Sequence, residues 1–359
     1  MVQPCYNLGS VRVEENRELA PLTTFGIGGP ARWFVEAATE DDVAEALGWA
    51  TEHRVPHFIL GGGSNLLVAD AGFHGMVLRV AVKGIRVQTS PNAGERLYDV
   101  AAGEDWDSFV QRTVEENCAG LECLAGIPGS VGGTPVQNVG AYGQEVAKAI
   151  RSVRAYDVER RAVVEVSADE CGFAYRRSRF NTVDKGRFVI LAVGYRLSAG
   201  GAPTLEYADI RRVFAAGSNP SVAQVANAVR GIRQGKGMLL VDGDPDCRSA
   251  GSFFKNPIIT NEAAEAIAQV AGAEPPCFPV AEGSSERAKI SAAWLMEKAG
   301  YSRGFRLGNA GLSSKHTLAL VNLGGASASE VVALANEIRS AVSDRFSIDL
   351  QIEPVMLGF

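Results

Sequence analysis

Histidine is scarce in this 359-residue chain. Only His53, His57, His74 and His316 occur, and none stands in an H-E-x-x-H pair. A zinc site would have no local ligand motif to build on, so no metal centre is expected. The six cysteines (Cys5, Cys118, Cys123, Cys171, Cys247 and Cys277) show no C-x-x-C spacing and are too sparse for a disulfide framework in a chain this long. They point to a reduced, cytoplasmic protein. No stretch approaches the roughly 18 apolar residues of a membrane span. The leading residues MVQPCYNLGSVRVEENRE lack the basic flank and apolar run of an export signal, so the expectation is a chain neither exported nor embedded. Basic charge is also short, with 35 Lys and Arg against 41 Asp and Glu for a net charge of -6. Nucleic acid and anionic membranes need a basic face, which argues against both as partners. A small anionic ligand needs only a few local cations and stays open. Two nucleotide signatures are missing as well. There is no G-x-G-x-x-G, and GIRQGKG at 231–237 has neither the spacing of a Walker A loop nor its following Ser or Thr.

What the chain has is core material and glycine. With 46% hydrophobic and 21% charged residues it can bury sizeable cores, and its length suggests two or three domains. Its 40 glycines make about 11% against an average near 7%. Twelve of them fall in GIGGP (26–30), GGGSN (61–65) and AGIPGSVGGTPVQNVGAYG (125–143). Consecutive residues without Cβ atoms are the material of anion nests that cradle a phosphate or pyrophosphate. Each cluster alone could be a set of turns. Three of them, with Gln137, Asn138 and Tyr142 interleaved, favour a large nucleotide ligand that contacts most of this surplus glycine backbone.

Periodicity supplies the framework. Thr39 with Asp42 forms a capping signal for a helix over 39–50 whose Val43, Ala46, Leu47 and Ala50 share one face. Strand-like WFVEA (33–37) and HFIL (57–60) flank it. Short strands follow at 76–80, 85–89 and 97–101, then a helix near 105–116. The middle is strand-rich, at 151–157, 162–166 and 188–197. GSNP (217–220) marks the best domain boundary and opens a helix with a Ser221 to Gln224 capping box and a Val222, Val225, Ala226, Val229, Ile232 stripe. Helices near 261–271, 290–299 and 329–345 and strands at 318–322 and 348–353 complete an α+β order with no regular βαβ repeat.

Seven motifs run in one order through nearly the whole chain: TFGIGG (24–29), GGGSNLL (61–67), IPGSVGGTPVQNVGAYG (127–143), YRRSRF (175–180), GSFFKNP (251–257), KHTLALVN (315–322) and IEPV (352–355). Together they resemble the UDP-N-acetylenolpyruvoylglucosamine reductase (MurB) family, of the vanillyl-alcohol-oxidase/PCMH-like flavoproteins. The resemblance implies an α+β protein with a two-subdomain PCMH-type FAD-binding region, over 1–84 (with 354–359 returning to it) and 85–216. An α+β substrate-binding domain would follow over 217–353. It implies non-covalent FAD, because Ser64 stands where some relatives tether flavin through a histidine, and NADPH as reductant. The cofactor would meet Gly61, Gly62, Gly63, Ser64 and Asn65, and further on Ile127, Pro128, Gly129, Ser130, Gly132, Gly133, Gln137, Asn138, Gly140 and Ala141. The substrate would be UDP-GlcNAc-enolpyruvate, reduced to UDP-N-acetylmuramate for peptidoglycan by a cytoplasmic monomer, with consequences for cell shape and division.

Hydride delivery to the vinyl ether leaves negative charge beside a carboxylate, which calls for placed positive charge and then a proton. The family pattern matches Arg176 to the carboxylate's planar partner, Glu353 to stabilisation of the enol-like form and Ser252 to the proton donor. It matches Tyr142, Tyr175, Tyr207, Asn256 and Lys236 to substrate contacts, with Arg233 nearby. Lys236 would meet the diphosphate as a point charge. The chain departs from the pattern after Lys236, where an expected proline is missing and GMLLVDGDPDCRSA makes a longer stretch. Taken without the resemblance, Ser252 reads as a turn hydroxyl, Glu353 as a charge at a strand end, and Arg176 as one of three arginines on a solvated face. Two other readings remain: a flavin oxidase or dehydrogenase of the same fold acting on a sugar or alcohol, and a nucleotide-binding protein without catalysis.

Overall fold

The computed structural model describes residues 5–8, 11–215, 217–278 and 286–359. Its contacts divide the chain into two compact units. The first comprises residues 1–17, 31–63 and 73–234, and the second residues 18–30, 64–72 and 235–359. The last long segment of the second unit begins at Gly235.

In the first unit, strand Pro30–Ala37, helix α1 (Glu40–Glu52) and strand His57–Leu60 form a strand-helix-strand unit, with Phe73–Val80 inserted between the two strands and parallel to both. Thr39 caps α1 through the expected box: its side chain accepts from the Asp42 amide, and Asp42 accepts from the Thr39 amide. Val43, Ala46, Leu47 and Ala50 are the buried face of α1. The second sheet is antiparallel, in the order Ala162–Ser167, Ile150–Asp157, Phe188–Ala199, Glu95–Ala101, Ile85–Thr89. Helix α2 (Trp106–Glu115) packs its Trp106 and Phe109 against Tyr98 and Tyr195, with ring centroids 5.1 to 6.0 Å apart. Helix α3 (Ala208–Val213) and helix α4 (Val222–Gly235) complete the unit. The Ser221 and Gln224 side chains cap α4 reciprocally, as expected. Val225 and Val229 of α4 pack with Tyr142 and Ile210, which is why α4 belongs to the first unit.

In the second unit, helices α5 (Asn261–Ala271), α6 (Ala292–Lys298) and α7 (Ala328–Phe346) enclose a core that includes Phe25, Leu67, Phe253, Phe254, Leu295, Leu334 and Ile338. The strand expected at 348–353 reduces to a short pairing of 351–353 with 253–255, held by Glu353 N–H to Phe253 O at 2.9 Å and Lys255 N–H to Gln351 O at 2.9 Å. Pro354 has no N–H to extend it. The chain then forms a strand at Val355–Leu357, parallel to Leu66–Val68. The C-terminal strand and the segment after GGGSN both cluster with the second unit.

Asp70, at the end of that segment, completes the N-terminus of α7. Its carboxylate accepts from the Ala328 amide at 2.6 Å, the Ser329 amide at 3.0 Å and the Ser329 hydroxyl, while Ser327 and Glu330 form a capping box. Burial alone would raise the Asp70 pKa, but these bonds outweigh it and hold the group below its ordinary value. The stabilisation is therefore present above the unfolded carboxylate pKa and lost as pH falls through the folded one. Asp70→Asn should cost about 1 kcal/mol at pH 7, and in denaturant melts the gap from wild type should close as pH falls below about 4.

Candidate active site

Two glycine loops meet in the first unit without side chains between them. A Cβ on Gly62 would lie 2.5 Å from Gly129 Cα and 2.8 Å from Ser130 N, and one on Gly61 would lie 2.8 Å from Ser130 Oγ. Ile127–Thr134 is anchored from beneath. The amide of Val131 donates to Glu104 O, that of Gly132 to Ala102 O, that of Gly133 to Ser130 O and that of Thr134 to Val131 O. Thr134 also bonds the Tyr195 hydroxyl at 2.8 Å, tying the loop to the aromatic core. This corrects one expectation: the donors at 131–134 are committed inside the protein, so that stretch is a braced shelf and not an open nest. Gly62 and Gly132 are required first by chain packing, since a Cβ on Gly132 would lie 2.6 Å from the Ala102 methyl. Gly133 differs. Its φ is not left-handed, and the nearest atom to its missing Cβ is 3.9 Å away, so neither strain nor packing calls for glycine there.

Gly140–Ala141 and Gln144–Glu145 form a hairpin whose two turn residues, Tyr142 (φ 51°) and Gly143 (φ 82°), both lie in the left-handed region. Tyrosine is unusual there and strained. Its surroundings hold it: Tyr207, which precedes α3, meets its ring edge-on at 5.4 Å, and the buried Arg233 guanidinium bonds its hydroxyl. Arg233 is only 7% exposed, and burial pulls its pKa down. Its Nε donates to Gly126 O at 3.1 Å. The Asp107 carboxylate accepts from the Gly126 amide at 2.6 Å and from Arg230 through both oxygens at 2.6 Å. Arg233 thus supports Tyr142 and the loop start. Asn138 is likewise spent on the protein, donating to Glu145 and Ala174 and accepting from the Ala147 amide.

The three arginines of YRRSRF separate clearly. Arg179 is committed to Asp184 at 2.6 Å and Arg177 is exposed. Arg176 sits in a tight 174–177 turn with φ 54°, where its Nη1 donates to Gly140 O of the tyrosine hairpin at 3.0 Å and its guanidinium lies 5.5 Å from the Tyr175 ring. Arg176, Tyr175, Tyr142 and Tyr207 are therefore neighbours on one set of loops, with Arg233 of α4 against Tyr142.

In the second unit, the 253–255 and 351–353 pairing sets Glu353 across from Phe253, one residue from Ser252, and both Ser252 and Glu353 are half-buried. Asn256 Oδ1 accepts from the Ala292 amide at 3.0 Å and so fixes the start of α6. Asn65 O accepts from Val355 N–H at 2.9 Å, tying GGGSN to the residue after IEP. Lys236 lies at the beginning of this unit, next to Gly237. Asp107 and Arg230 were not apparent in the sequence; they lie 123 residues apart and carry no local motif.

Residues 31–165 match the family model of an FAD binding domain, and residues 244–357 that of the UDP-N-acetylenolpyruvoylglucosamine reductase C-terminal domain. The chain is 44% identical to the UDP-N-acetylenolpyruvoylglucosamine reductase of Streptomyces coelicolor, over 99% of this chain and 93% of that one. It is 43% identical to the one from Thermobifida fusca, over 96% and 97%. Among solved structures it is similar to the UDP-N-acetylenolpyruvylglucosamine reductase (MurB) of Thermus caldophilus, with 26% identity, a TM-score of 0.66 and coverage of 97% and 99%.

The two loop glycines should respond differently to alanine. Gly62→Ala must push backbone off backbone and should cost about 1–3 kcal/mol. Gly133→Ala should leave the ligand-free chain within about 0.5 kcal/mol of wild type, and any flavin affinity measured by fluorescence should fall.

Proposed function

The chain belongs to the UDP-N-acetylenolpyruvoylglucosamine reductase family, and from that premise we propose the role of each residue in its site. It is an α+β, FAD-dependent oxidoreductase that reduces UDP-GlcNAc-enolpyruvate in peptidoglycan synthesis. Bound FAD supplies a two-electron carrier between NADPH and the vinyl ether. The shelf at Gly61–Gly63 and Ile127–Gly133, continued by Ser64, Asn65, Gln137, Gly140 and Ala141, holds it, with the bare backbone of Gly133 allowing close approach.

Arg176 pairs its guanidinium with the substrate carboxylate, where charge grows as the vinyl carbon is reduced. Its left-handed turn and its bond to Gly140 O keep it from following the solvent, so little ordering is left to do on binding. Ser252 donates a proton to the adjacent carbon. Serine is a weak acid, and the step is feasible because a carbanion or enolate is strongly basic. Glu353 stabilises the protonated, enol-like form. The observation that supports joining these two is the backbone pairing that sets Glu353 across from Phe253, one residue from Ser252. Tyr142, Tyr175, Tyr207, Asn256 and Lys236 contact the substrate, Lys236 at its diphosphate, and Arg233 acts through Tyr142.

We further propose NADPH as the natural reductant, a cytoplasmic monomer, and a product that serves cell shape and division through the wall. Cys118, Cys123, Cys171, Cys247 and Cys277 are all free thiols, in keeping with a reducing compartment. No helix among the described residues is long and apolar enough to cross a membrane. The domain limits 1–84, 85–216 and 217–353 stay part of this reading.

Ser252→Ala separates the two half-reactions. In anaerobic stopped flow, flavin reduction by NADPH should stay within about twofold of wild type, while reoxidation by UDP-GlcNAc-enolpyruvate should slow by at least about 100-fold. If both remain fast, Ser252 is not the proton donor.

A further inference from the structure

The TFGIGG segment (24–29), in the second unit, is packed against protein on its glycine side. A Cβ on Gly28 would lie 2.4 Å from Val68 Cβ, and one on Gly29 would lie 2.2 Å from Asp70 O. The Gly29 amide is spent on Ala69 O at 3.0 Å. Chain packing therefore requires both glycines. Thr23 shapes the turn that precedes them: its hydroxyl donates to Ala20 O and accepts from the Gly26 amide, both at 3.1 Å.

The other end of the segment holds the loop that carries Ser252. Thr24 donates its hydroxyl to the carbonyl of buried Ser249 at 2.6 Å, across 225 residues of sequence. The Ser64 carbonyl is 3.5 Å from the same hydroxyl, at the limit of a hydrogen bond, so its one proton goes to Ser249. Asn322 laces the two segments again, its Nδ2 donating to Phe25 O and its amide to Arg248 O, both at 3.0 Å. Phe25 meets Phe253 edge-on, with ring centroids 6.4 Å apart. On the loop itself, Ser249 Oγ accepts from the Gly251 amide at 3.2 Å. Gly251 turns through a left-handed φ of 73°, with nothing within 4 Å of its missing Cβ. The Phe253 amide is fixed on Leu318 O at 2.8 Å. Residues 250–252 thus bridge two anchors, Ser249 and Phe253, and the Thr24 hydroxyl holds the first.

We propose that Thr24 is a positioning residue for the proton transfer: by holding Ser249 O, its hydroxyl sets the point from which Ser252 delivers its proton. The proposal rests on the reading of Ser252 as the donor. In that step the Ser252 O–H bond breaks, a C–H bond forms at the carbanion, and the serine oxygen regains a proton from solvent. The donor must stand within reach of the carbon it protonates, so this step feels a small shift of the loop. Flavin reduction by NADPH takes no proton from Ser252 and is indifferent to that shift. Valine has the shape of threonine without the donor, and Thr24→Val leaves the buried Ser249 carbonyl without this bond.

Anaerobic stopped flow on the flavin-loaded protein follows the two half-reactions apart. In Thr24→Val, flavin reduction by NADPH should stay within about twofold of wild type. Reoxidation by UDP-GlcNAc-enolpyruvate should slow by about 10- to 100-fold, with a larger solvent deuterium isotope effect. Thr24→Ser restores the donor and should bring reoxidation back to within about twofold of wild type. Thr24→Cys, whose thiol is a weak donor, should fall between, and it carries the comparison if Thr24→Val does not fold. In a Ser252→Ala background Thr24→Val should slow reoxidation no further, because the two residues act in one step. Equal slowing of both half-reactions, no rescue by Thr24→Ser, or additive loss in the double variant overturns the positioning role. Fast reoxidation by Thr24→Val beside slow Ser252→Ala overturns it too. Fast reoxidation by Ser252→Ala overturns the donor reading beneath it.

Discussion

The backbone contact between Gly62 and Gly129 is the constraint from which the first unit's site is built. Side chains are excluded from it, since a single methyl at Gly62 would stand 2.5 Å from a main-chain carbon. Because the loops touch main chain to main chain, each is positioned by what lies under it. Strand His57–Leu60 leads into one, and the Ala102, Glu104 and Tyr195 anchors hold the other. The result is a rigid shelf with few side chains, a shape suited to an extended cofactor and poorly suited to a compact one.

Around the shelf, buried charge does the positioning. Arg233 and Arg230, with Asp107 between them, tie the loop's first glycine to α2 and α4 and place a guanidinium under the Tyr142 hydroxyl. Arg233 is the buried member, while Asp107 and Arg230 are partly exposed, so their pairing is worth less than that of a fully buried ion pair. Tyr142 and Arg176 both occupy left-handed backbone, and the two turns are joined by the Arg176 bond to Gly140 O. Left-handed backbone at two adjacent turns persists because the surrounding bonds hold it.

Much of this was legible in the sequence, and the parts that were not share a cause. The caps at Thr39 and Ser221, the helix stripes and most strands follow from residues within one or two turns of each other, so local spacing carries them. Arg233 is different: its spacing after Val229 predicts nothing about Gly126, 107 residues away. Its bonds run to Gly126 O and the Tyr142 hydroxyl. Asn138 looked like a ligand group because amides often are, yet its three bonds close the loop on Glu145, Ala174 and Ala147. The glycine surplus was read as cofactor contact, but at Gly62 and Gly132 packing alone requires it. Composition reports that backbone approaches something closely; only the fold says whether that something is protein or ligand. Among YRRSRF, spacing separates none of the three arginines, and only the fold shows Arg179 taken by Asp184 while Arg176 reaches Gly140 O.

The central claim is that the shelf and the Arg176, Ser252 and Glu353 groups serve one flavin-dependent reduction. It is tested most directly by titrating the flavin-loaded protein in the absence of oxygen, following the visible flavin band. NADPH should bleach the band, and UDP-GlcNAc-enolpyruvate should then restore it with one UDP-N-acetylmuramate formed per flavin. A band that returns only when oxygen is admitted, or a protein that binds no flavin, would contradict the account.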